Sequence, residues 1–410
     1  MIHPVSVYWS MQIKTSAYSQ TTHSQDRSAL PPAYLPNLNG IRCIAAFLVM
    51  IHHIEQVKWM MNVPNHYSFY LFKNSGKLGV GMFFVLSGFL ITYLLLRERD
   101  GSGTVNIRSF YARRVLRIWP LYFLIVLGST FVAPAFPSLF GYRSEPPMSA
   151  NYFAPRVALF MLVLPNLAID FFNSAYLCSP AWSIGVEEQF YILWPHVMRT
   201  RNWFQKNKVI VLYGLGIVVM VGLCSFGYHL LIPPAEAKPV WSIIIVFMGQ
   251  FRISLMLFGA AGATLLYYHH PFLMEWLFKS WVQVVGYTIL LTMWLTGVQV
   301  PGCNLEVYGL FFGLLIFNVA GNPNTLVRLD NVLMDSLGRI SYGLYLYHIP
   351  IVVVSINLLR HVLPNPFGIL YNTVLYGLSI GGTILISYVS YHYFERPFLQ
   401  LKDRRFAPEQ

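Results

Sequence analysis

LGVGMFFVLSGFLITYLLL, residues 78–96, is nineteen residues without a charge, followed at once by Arg97-Glu98-Arg99-Asp100. In a helix such a run rises about 28 Å, close to the thickness of a bilayer's hydrocarbon core. Comparable stretches occur at 40–61, 117–136, 182–198, 209–232, 250–268, 282–300, 305–321, 338–358 and 370–394. The sequence therefore predicts an all-α, polytopic membrane helix bundle of about ten transmembrane helices. Composition agrees. Of 410 residues, 56% are hydrophobic and only 11% charged, with a mean hydropathy of +0.52. A soluble domain carries roughly a quarter charged residues, so too few remain here to cover a water-facing surface.

The net charge of +12 is not a nucleic-acid signature, because the basic residues lie in short loops between apolar runs. Six arginines fall between Arg97 and Arg117. Arg199, Arg201, Lys206 and Lys208 mark a second basic loop, and Arg396, Lys402, Arg404 and Arg405 the C-terminus. Placing these segments and both termini in the cytoplasm puts nineteen Lys and Arg inside and eight outside, with Arg42 at the inner boundary; the opposite orientation reverses the usual bias. The apolar stretch 157–173 is interrupted by Pro165, Asn166 and Asp170. A further crossing there would break the charge parity, so it is expected to be re-entrant or to lie on the outer surface. The segment 240–252 is ambiguous and could be an outer helix. Residues 1–34 read as a flexible cytoplasmic tail without a cleavable leader, 35–398 as the transmembrane domain, and 399–410 as a basic cytoplasmic tail. The four cysteines, Cys43, Cys178, Cys224 and Cys303, have no metal-site spacing and read as buried thiols.

Ionisable side chains inside a membrane segment cost several kcal/mol unless paired or hydrated, so each is a functional candidate. Arg42, His52 and His53 fall in the first span, Glu187 and Glu188 in the fourth, and His348 in the ninth. His53 lies eleven residues beyond Arg42, about 16 Å further from the cytoplasm. Counted from its span's outer end, Glu187 lies about 22 Å from the cytoplasmic side, a depth similar to that of His53. A carboxylate beside an imidazole suits general-base activation of an alcohol. The same pair also suits a purely structural contact, or a proton relay in a transporter.

Several strings resemble one family, the membrane-bound acyltransferase family three, which includes O-antigen, nodulation-factor, macrolide and exopolysaccharide acyltransferases. LPNLNGIRCIAAFLVMIHH (35–53) is similar to its opening helix, with Arg42 and His53 separated by ten residues. GVGMFFVLSGFLITYLLLRE (79–98) resembles its second helix. FYARRVLRIWPLYF (110–123) resembles the basic entry to the third, with Arg114 and Arg117 in an Arg-x-x-Arg. WSIGVEEQFYILWP (182–195) carries Glu187 at the acidic position. ISYGLYLYHIPI (340–351) and FERPF (394–398) resemble the closing helices. One departure is Asn39 before Gly40, where the family usually has Asp.

The resemblance implies an O-acyltransferase of the bacterial inner (cytoplasmic) membrane. It implies an acyl-coenzyme A donor, most simply acetyl-coenzyme A, and a hydroxyl of a glycan or sugar-containing acceptor, with no bound cofactor and no metal. Arg42, Arg113, Arg114 and Arg117 are expected to hold the donor's phosphates. His53 is expected to act as base with Glu187 orienting it, and Ser87, His348 or Tyr342 to donate to an oxyanion. Ser87, in the string Ser87-Gly88-Phe89-Leu90, could instead let two helices approach closely. The sequence ends at 410, without the hydrolase-like domain fused to some members, so either this bundle suffices or a separate protein completes the transfer. Two rival classes are a transporter of acyl groups or lipid-linked sugar and a structural membrane protein. A transporter would show paired broken helices in inverted repeats, and none stands out.

Overall fold

The structure, a computed structural model, describes residues 37–141, 150–172, 176–199 and 252–406 except Gly302, Pro364 and Phe367, together with Pro32, Leu35 and Gly216. Among the described residues every regular element is helical. The helices in chain order begin with α1 (Leu38–Met60), α2 (Tyr70–Ser102), α3 (Ile107–Leu127), α4 (Pro137–Phe140), α5 (Ala150–Met161), α6 (Pro165–Phe172) and α7 (Trp182–Met198). They continue with α8 (Ile253–Tyr267), α9 (Pro271–Leu277), α10 (Ser280–Thr296), α11 (Asn304–Gly321), α12 (Val332–Arg339), α13 (Ser341–Val362), α14 (Ile369–Ser390) and α15 (Arg396–Phe406). All described residues belong to one compact unit, Pro31–Gln410.

Nine of the ten expected spans coincide with described helices, and the tenth, 209–232, lies outside the described residues apart from Gly216. So does the ambiguous 240–252 segment apart from Arg252. Six described helices are long and apolar enough to cross a membrane, and α8 and α10 are apolar but shorter. The described part of the interrupted stretch, 157–172, falls in two short helices, α5 and α6. Val163 joins them in a left-handed conformation at φ 58°, and Pro165 opens α6. At eight residues, α6 rises only about 12 Å and cannot cross alone.

The apolar surface is arranged for lipid. Ile192, Leu193, Leu291, Leu295, Leu378 and Leu385 all face outward. With hydrocarbon on the outside, apolar burial does not drive helices together; close packing at small residues does. The central helix α2 shows this. Glycine at Gly79 brings α2 against the Ala45 carbonyl and Val49 of α1. Gly88 and Gly259 press α2 and α8 together: a Cβ on Gly88 would stand 1.9 Å from the Met256 oxygen, and one on Gly259 1.8 Å from the Val85 oxygen. Ser87, read from the sequence as a candidate for close approach, turns to Glu187 instead, and it is the next residue, Gly88, that makes the approach.

The C-terminal end of α1 is pinned by a buried ionic cluster. Glu55 and Lys58 are 0% and 1% exposed and pair at 2.7 Å. Glu55 also accepts from the His66 amide and, at 2.7 Å, from the Tyr376 hydroxyl, while Lys58 donates to Asn372 at 2.9 Å. These bonds satisfy charges that would otherwise be costly to bury, and they lock α1 to α14. The N-terminal end is held by side chains as well. Asn37, at φ 65°, donates to the Val319 carbonyl and accepts from the Leu329 amide. Residues 399–406, read from the sequence as a basic tail, continue α15 and pack against α3.

Candidate functional site: a cationic cavity beneath a histidine pair

A cavity of about 290 Å³ opens between α1, α2, α3, α7, α13 and α15. Arg42 from α1, Arg114 and Arg117 from α3 and Lys402 from α15 supply four cations to its lining. One carboxylate, Glu187, stands among them, with Ser87, Tyr191, Ser183, Tyr342 and Tyr345. Arg114 and Arg117 share a face because they are three residues apart on a helix. Arg114 is stacked at 5.6 Å from the Phe110 ring and 5.8 Å from the Tyr191 ring, contacts that suit a planar guanidinium held away from bulk water.

Glu187 is fixed at both oxygens. Ser87 Oγ donates to Oε1 at 3.0 Å, and Tyr191 Oη donates to Oε2 at 2.9 Å. Glu188, one residue on, does not line the cavity.

The histidines form a separate cluster further along α1 and α13. His53 Nδ1 lies 2.9 Å from the Val49 carbonyl and 3.1 Å from His348 Nε2. A carbonyl only accepts, so Nδ1 carries the proton. The lone pair of His53 is therefore on Nε2, the state a general base requires. His348 Nε2 accepts from the same N–H. His52 is occupied otherwise: its Nδ1 donates to the Phe72 carbonyl at 2.8 Å, and Gly76 packs on its ring. Tyr345 connects the two regions, lining the cavity with its ring 6.0 Å from that of His348.

The structure does not bring His53 and Glu187 together. Among the described residues no hydrogen bond joins them, and they lie at different depths. Gly76 of α2 is level with His52, and Ser87 of α2 is level with Glu187. Those eleven residues place Glu187 about 16 Å nearer the Arg42 end than the histidines. The equal-depth expectation counted Glu187 from Trp182 as the outer boundary. In the folded chain the 3-10 segment Tyr176–Ala181 has already entered the bundle, so α7 begins well below the surface.

The remaining expected site residues divide. Ser87 is committed to Glu187, and Tyr342 donates to the Ile118 carbonyl at 2.8 Å; of the three expected oxyanion donors only His348 adjoins His53. Arg113 does not line the cavity. It pairs with Glu98 at 2.6 Å and donates to the Phe406 carbonyl at 3.0 Å, tying α2, α3 and α15 together. Asn39, the departure from the family pattern, accepts from Arg42 Nη1 at 2.7 Å and donates to Asp335 Oδ1 at 2.7 Å. Lys402, Tyr191 and Tyr345 were not anticipated. Helical spacing carried a signal for the tyrosines, four residues from Glu187 and three from His348. For Lys402 nothing local distinguished it from its basic neighbours. Among the described residues no group of His, Cys, Asp or Glu is arranged to hold a metal ion.

A helical bundle with Leu and Ile on its outer surface and Arg, His, Glu and Tyr gathered inside is a multi-pass membrane protein with an internal polar site. The chain belongs to acyltransferase family three, whose acyltransferase domain matches residues 35–392. It is 26% identical over 400 residues to the O-acetyltransferase OatA of Staphylococcus aureus (strain NCTC 8325 / PS 47), covering 92% of this chain and 59% of that protein. It is 24% identical over 393 residues to the peptidoglycan O-acetyltransferase OatA of Listeria monocytogenes serovar 1/2a, covering 89% and 56%. The chain thus spans less than two thirds of these relatives. No solved structure matches it.

Proposed function

We propose that this protein is an O-acyltransferase of the bacterial inner membrane, with both termini in the cytoplasm, moving an acyl group, most simply acetyl, from acyl-coenzyme A to a hydroxyl of a cell-surface glycan. The observation that carries the reading is the convergence of Arg42, Arg114, Arg117 and Lys402 on one cavity whose far wall, Tyr345, adjoins His348, which in turn meets His53. The donor has phosphates at one end and a thioester at the end of a long narrow arm. Four cations suit the phosphates, since guanidinium groups bind their oxygens bidentately. The separation of about 16 Å between the levels of Ser87 and His52 along α2 matches an extended arm better than a compact substrate. Glu187, held by Ser87 and Tyr191, belongs to the donor end in this reading. There it offsets part of the cationic charge and fixes the cavity's shape.

At the histidine end, Nε2 of His53 takes the proton of the acceptor hydroxyl as its oxygen attacks the thioester carbonyl. The tetrahedral oxyanion collapses with cleavage of the carbon–sulfur bond, and the proton on His53 is available to the departing thiolate. His348 accepts from His53 Nδ1–H and thereby holds the ring in the base-competent tautomer. The Listeria relative is named for peptidoglycan, which makes a cell-wall glycan the first acceptor to try.

The test is acetyl transfer by the full chain in sealed vesicles, following thiol release from acetyl-coenzyme A together with label on the acceptor. His53→Ala is expected to lower transfer by ~10²-fold or more, the usual contribution of general-base catalysis, while coenzyme A binding persists. Near-normal transfer by a well-expressed His53→Ala protein would exclude this mechanism.

A further inference from the structure

A second cavity, of about 210 Å³, lies against the outer half of α2. It meets the cationic cavity at a wall shared by both, Val80 and Phe84. The two cavities follow one another along α2, the inner one reaching Leu94 and the outer one Lys77. Those seventeen residues rise about 25 Å, most of the bilayer's roughly 30 Å core. The partition is aromatic: Trp182 borders the outer cavity and meets Phe84 edge to face at 6.0 Å. Lys77 directly follows Gly76, which packs on His52, so the Lys77 end of the outer cavity is level with the histidines, and its Phe84 end approaches the level of Ser87 and Glu187.

The outer lining differs in chemistry from the inner one. Lys77 and Arg252 are its cations, Asp170 its acid and Trp182 its indole, with Ile169 and Leu255 among the apolar residues. An indole offers a broad apolar face and a carboxylate accepts from hydroxyls, the pairing that suits a sugar ring. Among the described lining residues two cations stand with one acid, a set that suits a carboxylate on that ring. The volume fits one ring rather than a long chain.

We propose that this outer cavity is the acceptor subsite and that it takes a sugar ring bearing a carboxylate. The inference rests on the acyltransferase reading above and adds where the acceptor is held and what its charge is. The donor occupies the cationic cavity from inside, the acceptor enters from outside, and Val80 and Phe84 keep the two apart except where the acyl group passes.

Full-length protein in lipid nanodiscs tests this by saturation-transfer NMR with methyl glucuronide and its uncharged counterpart, methyl glucoside. The expected result is a glucuronide signal at least fivefold above that of the glucoside, undiminished by saturating coenzyme A, and lowered at least fivefold in both Lys77→Gln and Trp182→Leu. Coenzyme A binding in each variant shows that the bundle is folded. Equal binding of the two glycosides overturns the proposal, as does a signal that both variants retain. Displacement of the glucuronide by coenzyme A overturns it too, because the anion would then occupy the inner cavity. Failure of the donor reading is a separate result: no thiol release from acetyl-coenzyme A in the same preparation.

Discussion

Asn39 shows how one side chain sets the geometry around Arg42. It accepts from Arg42 and donates to Asp335, which in turn pairs with Arg339 on α12. An amide can do both at once; a carboxylate cannot donate. Asn39→Asp therefore sets two acids against each other and is expected to weaken coenzyme A binding through Arg42, measurable by calorimetry, with Asn39→Gln intermediate. The Asn39 amide, followed by Arg339, holds the Asp335 carboxyl below its ordinary value of 3.8. A depressed carboxylate stabilises the fold above its unfolded pKa, and that contribution is lost as pH falls through the lower folded value. The difference in melting temperature between wild type and Asp335→Asn should thus be constant above about pH 5 and shrink below about pH 4. A difference that grows on acidification would contradict this account. Arg42 and His53 were legible in the sequence because charged groups at these positions in an apolar run demand a reason. The support behind Arg42 was not, because Asp335, which accepts from its partner Asn39, lies 296 residues further along the chain.

At the scale of helices, two contacts bear most directly on the site. The first is the glycine contact of α2 with α8, which fixes the wall behind Ser87. Gly88→Leu would drive a side chain into the Met256 carbonyl. A cost of roughly 1–3 kcal/mol is expected from overpacking alone, seen as a lower melting temperature in detergent. The second is the Glu55–Lys58 pair of α1, which holds α14 through Asn372 and Tyr376. Lys58→Met leaves a buried carboxylate without its cation and is expected to cost roughly 3–5 kcal/mol, whereas the double change with Glu55→Gln should recover much of it. If the single and double variants are equally destabilised, the pair is not the reason these residues are buried. Sequence identified α1 and α2 as helices with little ambiguity. It did not show that α7 starts below the surface, because the preceding segment 176–181 looks like a connecting loop until packing draws it inside.

For the whole molecule the decisive quantity is sidedness. The reading places the Arg97–Arg117 segment inside and the 62–69 turn outside. In a cysteine-free background, a cysteine at Ser68 should react with a membrane-impermeant maleimide added to intact cells, and one at Ser102 only after permeabilisation; both positions are exposed on the protein. The opposite pattern would invert the donor and acceptor faces. The same orientation predicts that acetyl-coenzyme A is consumed from the cytoplasmic side while a glycan acceptor must be supplied from the other.

The fold class followed from the sequence alone, because hydrocarbon tolerates few charges and demands satisfied backbone. Long uncharged runs separated by basic loops leave helices as the natural solution. The candidate site residues were legible for the same reason: Arg42, His53, Arg114, Arg117 and Glu187 stand out against an apolar background. Only the tertiary structure decided how they associate. It separated His53 from Glu187, gave His53 to His348, tied Arg113 to Glu98 and brought Lys402 from the far end of the chain into the cationic cavity. Depth along one helix can be counted from sequence at a fixed rise per residue. The relative height of two helices depends on where each enters the bundle, and that is set by packing at glycines and by buried hydrogen bonds between residues remote in the chain.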